Sequence, residues 1–113
     1  MADEDLGLAP LLRALADPAR LRVVELLSGD ARRAGELADE LGLPAAAMSR
    51  HLRVLLEAGV VVDERRPEDA RVRVFHLRPE SVVAVRAWLD QVQAHWDEQL
   101  ASFKSHVDKQ ARR

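Results

Sequence analysis

The sequence predicts a mainly α-helical domain with one small β-hairpin, in the order α-α-α-α-β-β-α. Apolar residues recur at helical spacing through the first half of the chain, the pattern changes to alternation after Gly59, and a second helical stripe fills the last third. A length of 113 residues suits a single domain over residues 1–113. We expect residues 5–78 to form the core and the hairpin, and residues 79–108 to form a C-terminal helix.

Two helices are predicted before residue 30. The first lies in the apolar segment at residues 8–16, where Pro10 limits the point at which a helix can begin. Asp17 followed by Pro18 has the pattern of an N-cap and a first helical residue, so a second helix begins there and ends at Gly29. Its buried face is predicted to consist of Leu21, Val24 and Leu27, widened by Val23 and Leu26.

Two further helices are predicted at Ala34–Leu41 and Ala45–Ala58. The segment between them contains Gly42 and Pro44, which favour a tight turn because the residue before proline avoids the helical region. Two helices joined by a short turn that contains glycine form a helix-turn-helix motif. The later helix carries an apolar stripe made of Met48, Leu52, Leu55 and Leu56.

The segment after Gly59 favours a β-hairpin. Residues 60–62 are three valines, residues 67–70 form a polar turn, and residues 71–77 alternate in polarity. This alternation predicts one strand face with Val72, Val74 and His76, and another with Arg71, Arg73 and Phe75.

The last predicted helix begins at Pro79 and runs to about Val107. Its apolar stripe consists of Val82, Val85, Leu89, Val92, Trp96, Leu100, Phe103 and Val107, with Trp88 beside it. A stripe of this length is more than a 113-residue monomer can easily cover.

Composition narrows the class of protein. Residues 45–78 hold seven basic and five acidic side chains, although the whole chain has a net charge of −2. The chain has no cysteine, which excludes disulfides, thiolate metal sites and thiol redox sensing. It also lacks a secretory signal pattern and any run of about 18 apolar residues. We therefore expect a cytoplasmic protein that does not enter a membrane.

Three segments of the chain resemble the ArsR family of bacterial winged helix-turn-helix repressors. They are ALADPARLRVVELL at residues 14–27, ELADELGLPAAAMSRHLRVLLEAGVV at residues 36–61, and RRPEDARVRVFHL at residues 65–77. The resemblance covers about residues 11–107. It implies a homodimer, paired through its first and last helices, that binds double-stranded DNA at a palindromic operator, usually as a repressor of its own operon.

The resemblance and the exposed polar positions together suggest the residues that bind DNA. The helix near residues 45–57 would enter the major groove, and the hairpin would lie on the DNA backbone or in the minor groove. The chain departs from many relatives at Ala45–Ala47, where they have longer polar residues. The expected DNA contacts are Ala46, Ala47, Ser49, Arg50, His51, Arg53, Arg65, Arg66, Arg71 and Arg73. The expected dimer contacts are Leu8, Leu11, Leu12, Leu15, Val85, Trp88, Leu89, Val92, Trp96, Leu100 and Phe103.

Other interpretations of these residues stay open. The arginines could form a solvated helix face or protect the hairpin edges from pairing. His95 and Glu98 share one helix face and could bind zinc near a dimer interface, making the repressor metal-responsive. Trp88, Trp96 and Phe103 could instead dock a partner protein. An effector, metal or small organic, is not indicated by any motif. Catalytic motifs are absent, so neither an enzyme nor a cofactor is expected.

Overall fold

The computed structural model describes residues 2–112, with side chains from Gly7 onward, so Met1 and Arg113 of the predicted domain lie outside the described residues. The chain divides into two compact units, one up to Val82 and one from Val83 onward. The predicted element order is confirmed. The elements are α1 (Ala2–Leu15), α2 (Pro18–Leu27), α3 (Ala34–Leu41), α4 (Ala45–Glu57), β1 (Val61–Arg66), β2 (Asp69–Leu77) and α5 (Pro79–Ala111).

Helix α1 continues through Pro10, so the expectation that this proline limits the helix start was wrong. An interior proline removes one N–H donor and its ring crowds the carbonyl four residues earlier, a cost that does not end α1 at this position. On the C-terminal side of Pro10, Leu11 and Ala14 are buried in the core.

Helix α2 begins as predicted, with Asp17 as its N-cap. The Asp17 carboxylate accepts hydrogen bonds from the backbone N–H groups of Ala19 and Arg20, at 2.8 and 3.2 Å. These are two of the N–H groups that the first turn of a helix leaves without partners.

The predicted buried face of α2 was wrong at Leu21. Val23 and Leu27 are buried, whereas Leu21 is 47% exposed. Residues two positions apart point about 200° apart on a helix, so a face centred on Val23 must turn Leu21 outward. The buried stripe therefore follows the Val23–Leu27 spacing.

The two helices of the helix-turn-helix pack through a small set of fully buried side chains. Helix α3 ends at Gly42, whose φ of 66° lies in the left-handed region that glycine adopts without strain. The Leu43 N–H then bonds the Ala38 carbonyl at 2.9 Å, which closes the end of α3. The buried residues of α3 and α4 are Leu37, Ala38, Met48, Leu52 and Leu55.

Strands β1 and β2 form an antiparallel hairpin, whose register runs from Val61 opposite Leu77 to Arg65 opposite Arg73. The predicted alternation sets Val74 and Phe75 on opposite faces of β2, and both residues are buried. Phe75 exchanges two backbone hydrogen bonds with Arg32, at 2.8 and 3.0 Å.

This additional bridge ties β2 to the segment before α3. Both faces of the strand are covered at Val74 and Phe75, which an alternating pattern does not anticipate.

Helix α5 is a single helix of 33 residues, about 50 Å long. It continues to Ala111, three residues beyond the predicted end at 108. Within the described residues, none of the helices combines the length and the apolar character needed to cross a membrane.

The revised face of α2 predicts different effects of two leucine truncations. Leu27→Ala removes a buried side chain and should lower the free energy of unfolding by about 3 kcal/mol. Leu21→Ala on the same helix should cost less than about 1 kcal/mol, because that side chain is half in solvent. Urea denaturation of both variants measures the difference, and equal losses would contradict the assigned face.

Candidate nucleic-acid interface

Helix α4 separates its side chains into a buried and an exposed face. Met48, Leu52 and Leu55 are buried in the first unit. Most of the predicted DNA-contacting residues of this helix are exposed, namely Ala46, Ser49, Arg50 and Arg53, while Ala47 is half-buried. Within residues 7–112, neither Arg50 nor Arg53 has a hydrogen-bond or ion-pair partner. Their guanidinium groups are therefore available to an anionic ligand.

His51 lies apart from this exposed face. It is half-buried, and its Nδ1 lies 3.3 Å from Nη1 of Arg20 in α2. Nε of Arg20 donates to the Ala14 carbonyl at the end of α1, at 2.6 Å. The His51 side chain thus links α4 to α1 and α2, a role that the sequence alone did not suggest.

Asp17 completes this link. Its carboxylate lies 4.0 Å from Nη1 of Arg20. The hydrogen bond from the Arg20 backbone N–H, with smaller contributions from the Ala19 N–H and the charges of Arg20 and His51, lowers the pKa of Asp17 below its ordinary value. Asp17, the N-cap of α2, lies three positions before Arg20, and this spacing is a sequence signal that could have indicated their pairing.

The four hairpin arginines have different surroundings. Arg71 pairs with Asp69, with Nε 3.1 Å from Oδ1, and this pair lowers the pKa of Asp69. Arg73 pairs with Asp63 across the two strands. Arg65 donates to the Ala70 carbonyl at 2.9 Å.

Arg66 is exposed and has no partner among the side chains that the structure describes. The acids of the hairpin therefore neutralise Arg71 and Arg73 and leave Arg66 as its most available cation.

A groove of about 260 Å³ runs between α4 and the hairpin. Ser49 and Arg53 line it from α4, and Arg73 lines it from β2. The guanidinium carbon of Arg73 also lies 4.8 Å from the ring centre of Phe75, which lines the same groove. Two guanidinium groups and a hydroxyl on one concave surface form a set of donors suited to a phosphate.

The predicted dimer contacts fall into two groups. In α1, Leu11 is only 5% exposed within its own unit, so the structure assigns it to the core, while Leu8, Leu12 and Leu15 are half-buried. In α5, Val85 is half-buried and the rest are exposed, from 37% at Trp88 to 67% at Phe103. Exposed apolar side chains of this number and size on one helix are typical of an interaction surface.

The zinc interpretation has no complete ligand set within one chain. Among the described residues, no three His, Asp or Glu side chains come together as metal ligands would. His95 and Glu98 could therefore form such a site only with residues of another molecule.

Two packed helices with an exposed recognition face, followed by a hairpin, define a winged helix-turn-helix DNA-binding protein. Residues 15–64 match the family model for a helix-turn-helix domain. The chain is 37% identical to the HTH-type transcriptional regulator Rv2034 of Mycobacterium tuberculosis over 98 residues, which cover 87% of this chain and 86% of that protein. It is 42% identical over 64 residues to the HTH-type transcriptional repressor SmtB of the same species, covering 57% of this chain and 47% of that protein.

The crystal structure of an ArsR family transcriptional regulator, RHA00566, matches with a TM-score of 0.70 and 30% identity, covering 80% of this chain and 91% of that one. The chain therefore belongs to the ArsR family of winged helix-turn-helix transcription regulators. It is a DNA-binding regulator and not an enzyme, as the sequence predicted.

Proposed function

We propose that this protein is a homodimeric repressor that reads a palindromic operator with α4 in the major groove. The observation that carries the proposal is the exposed face of α4, whose arginines have no partner in the described chain while the opposite face is locked in the core. The relative SmtB is named a transcriptional repressor, which supports repression over activation. A protein with this task would act in the bacterial cytoplasm, where the DNA is.

Base recognition would come from the first half of α4. Arg50 can donate two hydrogen bonds to one guanine edge, and Ser49 can donate or accept beside it. Ala46 and Ala47 lack bulk, which would let the helix start approach the base edges and contact thymine methyl groups. We propose that His51 acts indirectly, by holding α4 against Arg20.

Phosphate binding would come from the groove between α4 and the hairpin. Arg53 and Arg73 line this groove from opposite sides, so one backbone phosphate could accept hydrogen bonds from both. Arg73 must first exchange its Asp63 partner for the phosphate, whereas Arg53 has no partner to lose within residues 7–112. Arg53 should therefore contribute more to binding than Arg73.

The remaining hairpin cations would act at the outer edge of the interface. Arg66 is the most available, and Arg65 can keep its bond to the Ala70 carbonyl while facing the DNA backbone. Arg71 is 90% exposed but paired with Asp69, so it should contribute least.

We propose that both units, residues 1–82 and 83–113, act together as one functional domain. In this domain α5 would bind the second copy of the chain that a palindromic operator requires.

Replacing Arg50 by alanine should weaken operator binding strongly, by about tenfold to a hundredfold per half-site, because a bidentate contact to a base is lost. A suitable probe is a duplex selected by the wild-type protein from a random-sequence library, and fluorescence anisotropy at fixed salt gives the dissociation constant. Arg22→Ala is the matched control, since Arg22 is an exposed arginine of α2 whose one ion-pair partner among residues 7–112 is Glu25. Unchanged binding by Arg50→Ala would refute the assigned reading face.

The groove predicts that two substitutions change DNA binding in opposite directions. Arg53→Ala should reduce the slope of log binding constant against log salt by about one per subunit, because one phosphate contact is lost. Asp63→Asn should strengthen binding, because it removes the carboxylate that competes with DNA for Arg73. Titrations at several salt concentrations measure both, and an unaltered slope for Arg53→Ala would exclude a phosphate in this groove.

A further inference from the structure

A second groove, separate from the surface assigned to DNA, lies between α1 and the C-terminal half of α4. Its volume of about 430 Å³ exceeds that of the groove beside the hairpin. This volume falls within the range of about 300–1,000 Å³ that is usual for small-molecule sites. All the described residues that line the groove precede Val83, so it belongs to the first unit alone.

Each of the two helices contributes one charged and two apolar residues to the groove, at the same helical spacing. They are Pro10, Arg13 and Ala14 of α1, and Val54, Glu57 and Ala58 at the end of α4. Residues three and four positions apart lie on one face of a helix, so each triplet presents a single surface. The two surfaces carry opposite charges, an arginine on one wall and a glutamate on the other.

The charged residues form the rim of this groove, and the apolar ones form its floor. Arg13 and Glu57 are exposed, whereas Pro10 and Ala58 are half-buried and Ala14 is buried. No ion pair joins Arg13 to Glu57, and neither side chain has a hydrogen-bond or ion-pair partner among residues 7–112. A ligand with one anionic group, one cationic group and an apolar body would therefore pair both charges and cover the floor.

Arg20 supplies a second cation to the groove. Its side chain lines the groove and is 18% exposed. Nε of Arg20 donates to the Ala14 carbonyl, and Nη1 lies near His51 and Asp17, which leaves Nη2 without a partner among the described residues. A carboxylate has two oxygens that match the donors of guanidinium groups. The anionic group of the ligand is therefore expected to be a carboxylate that binds Arg13 and Arg20.

We propose that this groove binds an amino acid with an apolar side chain, which acts as an effector. An α-amino acid carries both charges at one end, which suits a charged rim above an apolar floor. Its carboxylate binds Arg13 and Arg20, and its ammonium group binds Glu57. Its side chain covers Val54, which is 38% exposed, and removing this apolar surface from water favours binding.

Occupation of the groove weakens the contact between α2 and α4. Nη1 of Arg20 lies 3.3 Å from Nδ1 of His51, a hydrogen bond to a neutral imidazole. A carboxylate offers Arg20 a charge-assisted hydrogen bond, which is about twice as strong as a bond between neutral groups. The ligand therefore competes with His51 for Arg20 and loosens α4. This consequence rests on the proposed function of α4 as the reading helix, whereas the binding site itself does not.

NMR spectroscopy of the full ¹⁵N-labelled chain tests the site in the absence of DNA. L-leucine should produce saturable shifts in the backbone amide signals of Ala14 and Ala58. Two analogues that each lack one charge, 4-methylpentanoate and 3-methylbutylamine, should bind about tenfold more weakly, because each leaves one rim charge unpaired. Glycine should also bind about tenfold more weakly, because it has no side chain to cover the floor. Absence of saturable shifts would overturn the site, and equal binding of either analogue would overturn the ligand class.

Substitutions at the rim provide a matched test of the same site. Arg13→Gln and Glu57→Gln each remove one charge with little change in shape, and each should raise the dissociation constant for L-leucine about tenfold. Arg22→Gln is the control, because Arg22 is an exposed arginine of α2 that does not line the groove. Its affinity for L-leucine should equal that of the wild type. Wild-type affinity in both rim variants would contradict the assigned contacts.

Operator binding tests the effector role separately. Saturating L-leucine should raise the dissociation constant of the selected duplex about fivefold, at the lower end of allosteric couplings. Glycine at the same concentration should not change this constant, and Arg13→Gln should not respond to L-leucine. Saturable leucine binding with an unchanged affinity for the duplex would refute the effector role. Failure of the wild-type protein to bind any selected duplex would instead refute the proposed function, and the NMR shifts would then still decide the binding site.

Discussion

Burial of the apolar face of α4 is the constraint on which the rest of the site depends. Met48, Leu52 and Leu55 are buried in the first unit, so the helix cannot rotate without exposing them. Each such side chain contributes about 1.5–3 kcal/mol by leaving water. This burial sets the direction of Ser49, Arg50 and Arg53 before any ligand is present, and a rigid helix loses little freedom on binding.

The surroundings of α4 add to this constraint. Asp17 caps α2 and holds Arg20, and Arg20 contacts both the end of α1 and His51 of α4. The residues that cap α2 thus also help to fix the position of α4. On the other side, the Arg32–Phe75 bridge brings β2 beside α3, which places Arg73 across the groove from Arg53.

Element order and the main faces could be predicted from the sequence because periodicity, the Asp17-Pro18 start and Gly42 are local signals. The errors have nonlocal causes. Leu21 was assigned to the wrong environment, and the burial of Phe75 beside two arginines was not anticipated, because burial depends on which neighbours cover each face. The acid partners of Arg71 and Arg73 could not be predicted, since rotamer choice among several nearby acids is decided only in the folded chain. The partner of His51 could not be predicted because Arg20 lies far from it in the sequence.

Charge distribution explains how a protein with a net charge of −2 can bind DNA. Ion pairs within the hairpin remove much of its positive field, so affinity depends on few cations at defined positions. A second copy would double these contacts at a fixed spacing, which would make the proposed dimer pairing as important to specificity as the reading helix.

The central claim is that the exposed face of α4 lies in the major groove, and the most direct measurement is DNA cleavage by an iron chelate tethered to Ala46→Cys. Cleavage by the Ala46→Cys conjugate should be confined to the two half-sites of the selected duplex. The same reagent attached to Arg22→Cys should produce no cleavage there. Protein that binds the duplex fully while Ala46→Cys produces no cleavage within the half-sites would contradict it.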